Sequence, residues 1–157
     1  MAAVATDNVI ERRWPEAGTH HVPYWLYSDP EIYRREMERI FCGKSWNYVA
    51  LDAEVPNPGD FKRSWIGDRP VVVTRDEEGG INVFANRCAH RGVQFCKRNY
   101  GNTKDFVCPY HQWTYNLKGA LTGVPLRRGI RKNGEFKGGM PKDFKREEHS
   151  LDVCTVH

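Results

Sequence analysis

The sequence predicts a mostly β chain: an antiparallel β-sandwich preceded by one helix and an N-terminal arm. Three observations carry that reading. From Trp46 onward the apolar residues fall in short runs, each closed by a turn rich in Gly, Pro, Asn or Asp. Many short strands at close spacing give an antiparallel sandwich or barrel. Ahead of Trp46, one stretch alone has a helical period. No apolar run approaches the roughly 20 residues that cross a bilayer. Two parts are expected: an arm and helix over 1–45, and a β domain over 46–157.

Residues 1 to about 14 show no periodicity and read as a loose terminus. His20 and His21 are adjacent, so in an extended segment they face opposite ways and read as a surface pair. Val22-Pro-Tyr-Trp-Leu-Tyr27 is an aromatic segment expected to pack against the domain. Ser28 and Glu31 have capping-box spacing, and Pro30 suits a first helical turn. Tyr33, Met37, Ile40 and Phe41 then make one apolar stripe, with Gly43 as the stop. Strands are expected at 46–51, 61–66, 71–74, 81–85, near 105–107, at 113–115 and at 120–122. The turns between them are carried by Gly, Pro, Asn and Asp at 55–60, 67–70, 77–80 and 116–119. Residues 123–142 are Gly-rich and basic, with Arg127, Arg128, Arg131, Lys132, Lys137 and Lys142. They read as a solvated insertion, or else as a docking surface for an acidic redox partner or a neighbouring subunit. Leu151 to Val156 starts like a strand without a closing partner.

Among 157 residues, 39% hydrophobic and 12% aromatic content is enough for a packed core. A net charge of +4 is too mild to point to nucleic acid, and no basic motif accompanies it. The start of the chain lacks a basic n-region and reads as too short for a signal peptide. The five cysteines, at 42, 88, 96, 108 and 154, are odd in number and have no paired spacing. That fits a reducing compartment, the cytoplasm.

The chemistry lies between Cys88 and His111. Cys88-Ala-His90 and Cys108-Pro-Tyr-His111 each place a thiol and an imidazole on a short loop, and two Cys with two His ask for a metal. Zinc takes Cys₂His₂, but zinc motifs usually pair like with like, C-x₂₋₄-C followed by H-x₃₋₅-H. One thiol and one imidazole per loop suit a two-iron cluster, with both Cys on one iron and both His on the other. Neutral imidazoles in place of thiolates remove negative charge and raise the potential from about −400 mV to roughly −150 to +300 mV. Gly92 and Pro109 supply tight bends, which present backbone N–H groups to the sulfurs.

Cys88-Ala-His-Arg-Gly92 with Cys108-Pro-Tyr-His-Gln-Trp113 resembles the cluster loops of Rieske-type aromatic-ring-hydroxylating oxygenases, large (α) subunit. Tyr24-Trp25 and the Asp29-Pro30 helix resemble the start of that subunit. Leu121-Thr-Gly-Val124 and Gly138-Gly-Met-Pro141 look most like the branch acting on salicylate, anthranilate or terephthalate. The resemblance implies a Rieske [2Fe–2S] β-sandwich over 46–157. Cys88 and Cys108 would hold the inner iron, and His90 and His111 the outer one. Trp113 would shield the cluster and Arg91 would orient the loop. Respiratory-chain Rieske proteins join an extra Cys from each loop as a disulfide; Tyr110 stands at the second of those places. The family often has Gly after the second His, where this chain has Gln112, so the backbone there is a departure. Family α subunits continue into a catalytic domain with mononuclear Fe(II) on two His and one carboxylate. His20, His21, His149 and His157 offer no such set, so the chain is expected to be an N-terminal part with no catalytic residue of its own. The implied partners are a ferredoxin or reductase, two further α subunits in a trimer, and β subunits. The rival readings are a stand-alone Rieske ferredoxin and a zinc-stabilised binding module.

Overall fold

The β domain is built around Val71-Val72-Val73-Thr74, four β-branched residues whose stiff side chains suit a pleated sheet. They lie in β2 (Arg69–Arg75), paired antiparallel with β1 (Asp60–Ile66) and β3 (Ile81–Ala85). The computed structural model describes residues 13–16 and 18–156. Most of the expected loose terminus, and His157, lie outside them. The chain divides into two units, Met1–Trp46 and Asn47–His157.

In the first unit, a 3₁₀ turn (Tyr24–Tyr27) leads into α1 (Pro30–Glu36), whose final turn widens to a π-turn (Met37–Phe41). The cap is Asp29, not Ser28. Its carboxylate accepts from the N–H groups of Glu31 at 2.8 Å and Ile32 at 3.3 Å. Ser28 instead closes the preceding turn, and Pro30 at the first helical position fixes Asp29 as the cap. Glu31, expected to complete a capping box, faces Arg34 and Arg35, whose hydrogen bonds hold its pKa down at about 2. A side chain at Gly43 would stand 2.2 Å from the Arg39 carbonyl oxygen, so the helix stop needs glycine for space. Within the aromatic segment Tyr24 and Tyr27 are exposed, while Trp25 and Leu26 are half-buried. His20 and His21 are exposed in a turn, with ring centroids 4.6 Å apart, rather than facing opposite ways along an extended segment.

The second unit has two packed sheets. The larger runs β10 (Val153–Cys154), β3, β2, β1, β4 (Tyr100–Asn102); the smaller runs β5 (Asp105–Val107), β6 (Thr114–Asn116), β7 (Leu121–Gly123). Side-chain alternation along β2 splits its valines between two cores. Val72 joins Phe61 and Phe84 against Phe106, Tyr115 and Leu121 of the smaller sheet, and this core also contains Cys88, Cys108 and Trp113. Val71 and Val73 point the other way, to Val83 and Val55. Each such side chain removed from water is worth roughly 1.5–3 kcal/mol.

Four expectations need correction. Residues 46–51 form no strand: Val49 and Ala50 pack on the second valine core, and the segment then enters a 3₁₀ turn (Asp52–Glu54). The insertion at 123–142 contains a hairpin, β8 (Ile130–Lys132) with β9 (Glu135–Lys137), turning at Asn133-Gly134. That Asn-Gly pair is a strong hairpin signal which the charge of the stretch obscured. Strand β10 does find a partner, pairing with Phe84 and Val83 of β3. Strand β4, absent from the expected list, pairs with Asp60, Phe61 and Lys62 of β1.

Candidate metal centre

Two short loops present the thiols and imidazoles, and their backbones are bonded alike. In the first, the Cys88 N–H donates to Val93 O at 2.9 Å, and the Gly92 N–H donates back to Cys88 O at 2.8 Å. In the second, Cys108 N–H donates to Trp113 O at 2.8 Å and Gln112 N–H to Cys108 O at 2.9 Å. Both loops close on a residue in the left-handed region, Gly92 at φ 69° and Gln112 at φ 58°. The departure at Gln112 therefore leaves the loop geometry intact. Only the second loop tops a true hairpin, β5–β6; the first joins β3 to β4, which lie apart in the larger sheet.

The donors come together as two pairs. Cys88 and Cys108 are buried at 3% and 1% exposure and lie within hydrogen-bonding reach of each other. The rings of His90 and His111 are 4.6 Å apart, edge to face. Burial pushes the Cys108 thiol pKa up, while the backbone N–H groups of Tyr110 and His111 pull it down. Those donors favour the thiolate, the form that binds metal. Partial desolvation first, then the neighbouring His111 and Arg91, lowers the pKa of His90 and so favours the neutral imidazole that binds metal. Nδ1 of His111 is buried and has no hydrogen-bond partner. A buried nitrogen of that kind costs about 1–3 kcal/mol unless something takes up its lone pair. A sulfur pair beside an imidazole pair matches a two-iron centre with each metal held by two side chains.

The surroundings hold this arrangement in place. Trp113, 4% exposed, stacks on His90 at 4.8 Å with 12° between planes. Arg91 reaches across to the second loop, its guanidinium 5.6 Å from the Tyr110 ring centroid and 3.5 Å from the Tyr110 hydroxyl. All six residues picked out by the sequence, Cys88, His90, Arg91, Cys108, His111 and Trp113, thus converge on one place.

Three supporting residues escaped sequence reasoning. The fully buried Tyr115 hydroxyl lies 3.2 Å from Cys88 Sγ and accepts from the Ala89 N–H at 3.0 Å. Burial, then the Cys88 contact, pushes its pKa up. Its signal was the i, i+2 spacing from Trp113, which puts both rings on the inward face of β6. Asn86 anchors the first loop, donating to Cys96 O at 2.8 Å and accepting from Cys96 N at 2.9 Å. His149 meets the edge of Trp113 at 5.8 Å and stacks on Phe144 at 4.7 Å. Neither Asn86 nor His149 had a sequence signal, because the contacts are remote in the chain.

Comparison with known proteins agrees with this geometry. The profile of the Rieske [2Fe–2S] domain matches residues 45–134. The chain is 58% identical over 144 residues to the large oxygenase component of salicylate 5-hydroxylase from Ralstonia sp, covering 92% of this chain and 34% of that one. It is 47% identical over 154 residues to the anthranilate 1,2-dioxygenase large subunit of Burkholderia cepacia, covering 97% and 35%. Naphthalene 1,2-dioxygenase from Rhodococcus sp. superposes with a TM-score of 0.70 at 38% identity, over 84% of this chain and 28% of that one. The chain thus spans about a third of the length of these curated relatives. With its two thiol–imidazole loops at the edge of a two-sheet sandwich, the chain belongs to the Rieske [2Fe–2S] domain family.

Proposed function

We propose that this chain is the electron-carrying part of the large subunit of a ring-hydroxylating oxygenase. Cys88 and Cys108 would hold one iron, and His90 and His111 the other. The observation that carries the assignment is the buried, unpartnered Nδ1 of His111 beside His90 and a buried thiol pair. When bound, the cluster supplies reversible one-electron storage at a potential raised by its two neutral ligands. The chain's own residues set the conditions for that chemistry. Tyr115 and the N–H groups of Tyr110 and His111 stabilise charge on sulfur. Trp113 covers one face of His90 and keeps water from it. Arg91 ties the two loops together through Tyr110.

Electrons would arrive from a ferredoxin or reductase and leave for a mononuclear iron, held by two His and a carboxylate in a further domain of the same kind of subunit. The relatives' names support a carboxylated aromatic such as salicylate or anthranilate as the ring substrate. A trimer of α subunits, with β subunits, is the assembly that the family resemblance implies. An odd number of cysteines, none of them in a disulfide, supports a reducing compartment, the cytoplasm. Among the described residues, no helix is long and apolar enough to cross a membrane.

Hyperfine spectroscopy of the reduced protein tests the ligand set. Coupling to two imidazole nitrogens is expected, with one lost in His111→Cys; an all-sulfur spectrum in the unaltered protein contradicts the assignment. The 157-residue chain alone should take an electron from dithionite yet form no hydroxylated salicylate or anthranilate under NADH, reductase and O₂. Product that scales with the protein and survives catalase would place oxygen chemistry within this chain.

A further inference from the structure

We propose that the β8–β9 hairpin is the docking element for an acidic electron-transfer protein and seats that partner beside His90. The inference rests on the electron-carrying reading above. Ile130 pairs with Lys137, Arg131 with Phe136 and Lys132 with Glu135, and every residue of both strands is exposed. A two-stranded ribbon with neither face covered is marginal in water by itself. Leu126, Ile130 and Phe136 are 66%, 53% and 57% exposed. Apolar side chains ringed by charge are the composition of an interface with a dry centre and a polar rim.

The rim is strongly one-signed. Arg127, Arg128, Arg131, Lys132, Lys137 and Lys142 stand against Glu135 and Asp143 alone within 124–143. Among the described residues none of these six cations forms a salt bridge. By contrast Lys62 meets Glu54 at 2.7 Å, Arg75 meets Asp52 at 2.6 Å, and Lys118 meets Glu78 at 2.7 Å, while Arg69, Lys97 and Lys104 are scattered cations that form no salt bridge among the described residues either. A second copy of the surface would bring cations against cations. A partner with carboxylates around an apolar spot complements it and is steered toward it.

Placement makes that partner a redox protein. The base of the hairpin is tied to the metal centre through rings. Arg127 lies 5.9 Å over Phe144 and donates to its carbonyl oxygen at 3.3 Å. Phe144 meets the edge of Trp113 at 5.9 Å, and Trp113 stacks on His90 at 4.8 Å. The transfer is a single electron: the donor's reduced centre loses one and the chain's redox group gains one. From a plant-type donor, all of whose ligands are thiolates, it runs downhill into a histidine-ligated centre.

The test uses the full chain with reduced plant-type [2Fe–2S] ferredoxin as the acidic probe. One variant carries Arg131→Ser, Lys132→Ser and Lys137→Ser. A control removes equal charge elsewhere with Arg69→Ser, Lys97→Ser and Lys104→Ser. Calorimetry reads binding and stopped flow reads reduction. At low salt the hairpin variant should lose about tenfold or more in affinity and reduction rate, with a flatter salt dependence. The control should lose far less. Phe136→Ser should weaken binding without changing the salt slope. Reduction by a neutral small-molecule reductant should be unchanged in all of them. Equal losses in the two triple variants, or none in either, overturn the proposal. So does tighter binding of a 20-base-pair DNA duplex than of ferredoxin through the same three residues. A loaded protein indifferent to the hairpin variant overturns this proposal alone. Binding through the hairpin by a chain that never acquires iron overturns the electron-carrying reading and leaves the docking surface standing.

Discussion

The two metal-centre loops share one backbone plan yet stand in different surroundings. Each closes with a bond from the Cys N–H to the residue five places on, and a return bond from the residue four places on. Around that shared frame the first loop keeps His90 exposed and stacked on Trp113, and leans its sulfur on the Tyr115 hydroxyl. The second loop half-buries His111 and serves its sulfur with its own N–H groups. The first also sits between two strands that do not pair, whereas the second tops a hairpin. Local backbone geometry is therefore enough to make a ligand loop. The strands beneath decide only where the loop is presented and which side chains tune it.

If the loops contribute equally to the cluster, breaking either should be equally severe. Cys88→Ala and Cys108→Ala are each expected to abolish iron and sulfide incorporation. A variant of one loop that loads normally would end the symmetric account. Next in size is ligand exchange. His111→Cys adds a thiolate, and in protein that still assembles a cluster the potential should fall by hundreds of millivolts toward about −400 mV. Protein-film voltammetry reads this, and an unchanged potential would remove His111 from the ligand set.

Asymmetric tuning predicts a smaller effect. Tyr115→Phe removes a donor from the Cys88 sulfur and leaves the Ala89 N–H unpaired. A charge-assisted bond of about 1.5–3 kcal/mol in the reduced state, partly retained in the oxidised state, corresponds on its loss to a fall of tens of millivolts at about 59 mV per tenfold. A potential that rises would show that the hydroxyl does not donate to the sulfur. The smallest effect concerns the loop ends. A left-handed conformation costs a non-glycine residue about 1–2 kcal/mol, offset by the extra entropy that glycine loses. Gly92→Ala should therefore lower stability by about 1 kcal/mol, since its side chain meets open space and only the backbone resists. Gln112→Gly should leave stability unchanged or raise it by up to about 1 kcal/mol. Thermal midpoints of loaded protein compare the pair, and a large loss in Gln112→Gly would mean that the glutamine side chain is needed.

Much of this was legible in the sequence wherever a local rule was strong enough. The valine run of β2, the Gly-Gly turn into β3 and the thiol–imidazole spacing each act over a few residues, so pattern and structure agree there. The failures have a common cause in contacts made at long range. Trp46 to Leu51 has strand composition, but it packs Val49 and Ala50 onto a valine core without joining a sheet. Tyr100 to Asn102 has little strand character and becomes β4 because β1 offers an edge. Tyr115 read as one more strand residue until the fold brought its hydroxyl to Cys88, far back in the chain.

The central claim is that two sulfur and two imidazole donors hold two irons rather than one zinc. Metal and acid-labile sulfide analysis of protein purified anaerobically tests it directly. About two irons and two sulfides per chain, in a red-brown solution, are predicted. A colourless protein with one zinc and no sulfide would contradict it.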